Sequence, residues 1–180
     1  MMCRWIALLL LSLSIVACGG VTGAPEHPRF ASASGLGDFE GTFENLGEGS
    51  RGGSPDYLSR TLWPDDGALD HEWVLSIEIV SGGPGALSFR AKGTEGVVKE
   101  ETFVEGRNLE LRDGRIVLGK GALLPLYPPV VGVGYERIEL RLGAGGELWR
   151  VYDAAFVGFP FPVAFDDVVR FARLTGSTRP

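Results

Sequence analysis

The chain is expected to fold as a mostly β protein. The pattern is an antiparallel up-and-down meander closing into a small barrel of about eight or nine strands, with one short helix near the start. Three observations carry this. Apolar residues alternate with polar ones at period two: Trp73, Leu75, Ile77 and Ile79 against Glu72, Ser76 and Glu78, then Leu87, Phe89 and Ala91 against Ser88, Arg90 and Lys92. Turn residues separate such runs, notably Ser81 to Gly85, Asp113-Gly114 and Gly143 to Gly146. The sequence also holds 27 Gly and 11 Pro in 180 residues, which leaves little room for long helices. A lone sheet of this length would expose its edges, and closure removes them.

Taken in order, the chain opens with Arg4 and a run of about a dozen apolar residues, Trp5 to Val16. That length suits an export signal and is short of the roughly 20 residues that span a bilayer. The run ends in Ile15-Val16-Ala17-Cys18, then Gly19-Gly20. This tetrapeptide resembles the lipobox of bacterial lipoproteins. The resemblance implies that residues 1–17 are removed and that Cys18, then the first residue, is lipidated on its thiol and acylated on its amine. Two or three acyl chains hold stably to a membrane where one does not. Gly19, where Asp would signal retention, resembles the pattern of lipoproteins sent to the outer membrane. Anchoring on its periplasmic face is the expectation.

Without the leader the charge moves from −6 to −7, because Arg4 goes with it. Acidity opposes nucleic-acid binding, which rests on neutralising phosphates. Cys3 also leaves, so no internal disulfide is available and packing alone must hold the domain. Residues 18–35 form the lipidated Cys and a small, Pro-containing tether, and His27 is read as a solvated part of it. Fully stretched, the tether reaches roughly 55 Å at about 3.3 Å per residue. Residues 36–175 are one domain and 176–180 a frayed tail.

Within the domain, Asp38 to Asn45 is the first strand, with Phe39 and Phe43 on one face. Gly47, Gly49 and Gly52 spell G-x-G-x-x-G, but strands rather than a βαβ unit follow, so phosphate binding is not expected. Ser54 and Pro55 suit the start of a short helix whose Leu58, Leu62 and Trp63 plug one end of the barrel. Asp65, Asp66, Asp70 and Glu72 make an acidic turn without the EF-hand spacing. After the strand at residues 71–80, further strands are expected at 87–92, 97–105, 108–112, 115–119, 137–142, 147–153 and 168–174. The layout is similar to calycin or lipocalin-like barrels. The Gly-x-Trp signature is missing, with Gly37-Asp38-Phe39 in its place, so no binding residue is implied.

Two connections are too apolar for plain loops: Leu123 to Val131, with Leu124, Leu126 and Tyr127, and Phe156 to Phe165, with Phe159 and Phe161. Their prolines argue against central strands. They flank one hairpin and so should emerge at one end of the sheet, where Leu124, Leu126, Tyr127, Phe156, Phe159 and Phe161 become candidate partner or ligand contacts. Catalysis finds little support. His71 is the one histidine in the domain, no G-x-S-x-G elbow exists, and zinc lacks ligands. Glu100, Glu101 and Glu105 read as a solvated strand edge. No cofactor or metal is expected. The leading expectation is a non-catalytic lipoprotein of the envelope that acts through its Pro-rich apolar loops. The runner-up binds a small hydrophobic ligand or lipid in a cavity lined by Trp73, Leu75, Phe89 and Ile138.

Overall fold

The computed structural model describes residues 28–49, 55–123, 131–159 and 163–175. The leader, Cys18, His27, Leu124, Leu126, Tyr127, Phe161 and the tail lie outside these residues. The strands are β1 (Gly41–Glu44), β2 (Ser76–Gly83), β3 (Ala86–Gly93), β4 (Gly96–Val104), β5 (Leu109–Arg112), β6 (Arg115–Leu123), β7 (Val131–Leu142), β8 (Leu148–Phe159) and β9 (Val163–Phe171). A 3-10 turn (Leu36–Phe39) precedes β1, and a one-turn helix, α1 (Leu58–Leu62), lies between β1 and β2.

The fold is mostly β, but hydrogen bonding divides it into two antiparallel sheets, ordered β1-β2-β3-β4 and β5-β6-β7-β8-β9. The expected single closed meander is therefore corrected. The break falls between β4 and β5, which meet through one parallel bridge, Glu105 with Leu109. The chain between them makes a tight loop, with Gly106 at φ +80° and Asn108 Oδ1 accepting from the Val104 N–H at 2.7 Å. It emerges heading the same way, so no hairpin can form. At the other seam the sheets are stitched by backbone bonds: Glu44 N to Ala172 O and Leu174 N to Thr42 O, both 2.8 Å, and a reciprocal pair between Glu48 and Arg170.

One core lies between the sheets. Ile77, Ile79, Phe89 and Phe103 face it from the first, and Ile116, Leu140, Leu148 and Phe171 from the second. Their polar neighbours point outward, as period two requires. Phe89 and Phe103 meet edge to face with ring centres 4.9 Å apart. Leu58, Leu62 and Trp63 are buried in the same cluster. The helix begins at Leu58, because Tyr57 is extended and bridges Leu46. Phe39 and Phe43 are both fully buried, though Phe39 sits in the 3-10 turn rather than in a strand.

Three other expectations change. Trp73 and Leu75 are 70% and 57% exposed, since regular pairing in β2 starts only at Ser76 and Val74 is the residue taken inside. The stretch holding Phe156 and Phe159 is strand, not loop: β8 runs to Phe159 and β9 starts at Val163. The tether is also shorter than read. Phe30 bridges Gly143, Ala31 N donates to Leu142 O at 2.8 Å, and Ala144 N donates to Arg29 O at 2.9 Å.

Candidate functional site: the apolar end of the two sheets

Strand direction gives the fold two ends. The turns at Asp113-Gly114 and Gly143 to Gly146 join β5 to β6 and β7 to β8 at one end. The connections after Leu123 and Phe159 join β6 to β7 and β8 to β9 at the other. Register fixes this, because Val131 is level with Phe159, and Leu142 with Leu148. Since β9 runs antiparallel to the chain at Phe43 and Glu48, the β3–β4 turn at Gly93 to Gly96 points the same way as the start of β9. We call these the Gly143 end and the Val97 end.

Exposed apolar side chains gather at the Val97 end. In the four-stranded sheet these are Trp73, Leu75, Val97 and Val98, each more than half exposed. Leu75 N donates to Lys92 O at 2.8 Å, and Lys92 is level with Val97. Val98 sits where β4 slips register, close to Gly93, and the Trp73 carbonyl lies beside the same glycine. The five-stranded sheet adds Tyr135 on its outer side and Phe165, 61% exposed, on the side that faces the core lower down. At the Gly143 end the exposed large apolar residues are Val104 and Leu174, at 39% and 42%. The two sheets thus share an uncovered apolar margin at this end, of the kind that marks interaction sites.

Beneath Phe165 the inner face turns polar. Arg150, nearly buried, spans Asp56 Oδ1 at 2.7 Å and Asp167 Oδ2 at 2.5 Å. Burial, and then the charge of Glu136, push the adjacent Tyr152 phenol up from its ordinary value. The Arg150 bridge ties the segment before α1 to β8 and β9. On the outer face Glu139 is fully buried under three guanidinium groups, those of Arg115, Arg137 and Arg141. Both clusters are paired ion networks that fix the sheet.

The nearest approach to catalytic geometry is His71. Its Nδ1 lies 3.0 Å from Ser59 Oγ. Ser59 is wholly buried, however, and a nucleophile must meet its substrate. The pair belongs to a structural knot around Asn45, whose side chain donates to the carbonyls of His71 and Val74 and accepts from Ser59 N. No sequence pattern pointed to Asn45; its position at the end of β1, facing a long return loop, was the available signal.

The acidic turn does not converge either. Asp66 takes the Lys99 ammonium at 2.7 Å, a bond that holds its carboxyl below the usual range, while Asp70 accepts from Glu72 N. Glu100 pairs with Arg90, and Glu101 accepts from the Trp63 indole at 2.7 Å. Among the described residues no three His, Cys, Asp or Glu side chains group as metal ligands, and no helix is long and apolar enough to cross a membrane.

Of the sequence-predicted contacts, Phe156 and Phe159 lie on β8, which leads to the Val97 end, with Phe156 level with Gly134 and Val163. Leu124, Leu126, Tyr127 and Phe161 fall in the two connections outside the described residues. The four residues proposed to line a ligand cavity do not converge: Trp73 and Leu75 face solvent, Phe89 is packed in the core, and Ile138 rests against it. The chain matches no protein-family model, no curated protein and no solved structure.

Proposed function

We propose that this chain is a lipid-anchored protein of the bacterial envelope, held at the outer membrane through acylated Cys18, and that it binds a partner protein with its Val97 end rather than catalysing a reaction. The observation that carries the reading is the segregation of exposed apolar side chains, with Trp73, Leu75, Val97, Val98, Tyr135 and Phe165 at one end. The apolar segments around 124–130 and 160–162 join strands at this same end, which adds support. In this reading the sheets work as an incompletely closed barrel, zipped between β1 and β9 and filled by its core. The test is mass measurement of the mature chain together with site-specific photo-crosslinking in cells. An acylated Cys18 amine, with one discrete protein adduct from a crosslinker at Trp73 or Phe165 and none from Leu174, is the expected result. An unmodified chain, or equal labelling from all three sites, would overturn it.

A further inference from the structure

The seam between the sheets has two open edges that face each other. Glu105 N donates to Gly85 O at 2.8 Å, so Glu105 bonds on the β3 side of its strand. Val104 turns the other way: its N–H goes to Asn108 Oδ1, and its carbonyl accepts from Arg107 N and Asn108 N. Backbone groups alternate sides along an antiparallel strand, so Thr102 and Glu100 also aim their N–H and C=O away from β3. Strand β5 lies beside only the end of β4, at the Glu105–Leu109 bridge, and its far flank pairs with Arg115 to Leu118 of β6. β6 then continues through 119–123, alongside the part of β4 that precedes Glu105. Among the described residues no strand pairs with either edge over this stretch. At the start of β5 the two edges are two strand steps, about 10 Å, apart, which is the room for one strand.

We propose that this seam receives a single extended segment of a partner polypeptide, added as a strand between β4 and β6. The inference deepens the partner-binding reading above and rests on it, because the seam opens at the Val97 end. The chemistry of the two walls selects the occupant. Each presents backbone donors and acceptors at strand spacing, and an extended peptide backbone satisfies both walls at once. Hydrocarbon satisfies neither, so an acyl chain or a bilayer is a poor occupant. The β4 edge of a second copy is too wide, because its own β3 would need the place that β6 holds. The inner-facing charges along β4 are already taken: Lys99 by Asp66 at 2.7 Å and Glu101 by the Trp63 indole at 2.7 Å. The segment therefore brings uncharged inner side chains beside buried Phe103, with polar ones alternating outward.

Amide hydrogen exchange on the full mature chain tests this. The probe is a short peptide of alternating Val and Thr with Lys at both ends. The Glu100 and Thr102 amides should exchange fast in the free chain while the Phe89 amide is slow, and the peptide should slow both by about tenfold or more. A peptide N-methylated on alternate residues should not. Glu100→Pro removes an N–H that points away from β3, so it spares the β3–β4 ladder and should abolish the peptide effect at Thr102. Slow exchange of both amides in the free chain would mean that a segment of this chain fills the seam. Slowing with protein concentration alone would mean a second copy. Either result, equal slowing by the methylated peptide, or no slowing up to the peptide's solubility limit overturns the proposal. Crosslinking from Trp73 that survives Glu100→Pro also overturns strand addition but leaves the Val97 end as the partner site. Absence of any crosslink from Trp73, with the amides still protected by peptide, sinks the earlier reading instead.

Discussion

Ser59 and His71 share a hydrogen bond, Oγ to Nδ1 at 3.0 Å, beneath a surface that seals the hydroxyl from water. Burial, followed by the charge of Arg60, lowers the imidazole below its ordinary 6.5. The unfolded chain therefore takes up a proton that the folded chain resists. This cost is absent well above pH 6.5, grows as pH falls through it, and levels off below the folded value. His71→Gln should flatten that part of the profile. Urea midpoints measured from pH 8 to 5 should fall less in the variant than in the parent; parallel curves would refute the assignment.

Asn45 ties three stretches together through side-chain bonds of 2.8, 3.0 and 2.7 Å. Asn45→Ala would strand the Ser59 N–H and the Val74 carbonyl in a dry site. A loss of about 3 kcal/mol is expected, since each unsatisfied buried group costs roughly 1–3 kcal/mol. That is a melting temperature lower by about 6–12 °C for a domain of this size. Calorimetry reads it directly.

Glu139 has no exposed surface and is flanked by Arg115, Arg137 and Arg141. Glu139→Ala leaves three like charges crowded together, with an expected cost of about 3–5 kcal/mol. Adding Arg115→Leu should recover part of it. A double variant no more stable than the single one would show that repulsion is not the cause.

Trp73 and Leu75 contribute little to the core. The Trp73→Ser, Leu75→Ser double variant should unfold within about 0.5 kcal/mol of the parent, yet lose most of its partner crosslinking. A large stability loss would mean that the patch is buried in the working protein.

The sequence made much of the core legible, because alternation survives wherever one face is dry and the other wet. Ile77, Ile79, Phe89 and Leu140 are inside as their spacing requires. It misled at Trp73 and Leu75, because regular pairing begins only at Ser76 and Val74 is the residue turned inward before it. Phe156 and Phe159 lie in strand β8, although the prolines that follow in sequence make the stretch look by composition like a loop. The parallel step from β4 to β5 leaves no trace in periodicity, because strand patterning records which face is buried and not which way the next strand runs. Phe30 was hidden for a related reason: one aromatic in a run of small residues carries no period, although it is the sole large apolar residue there.

That parallel step reverses the parity of the meander. Nine strands joined only by hairpins would finish at the opposite pole from where they began; with one step out of turn, Phe30 and Leu174 emerge at the same pole. The molecule is thus topologically suited to circular permutation. A short bridge between its old termini, with new ones cut at Thr94-Glu95, should leave both sheets intact and move the point of suspension to the far pole.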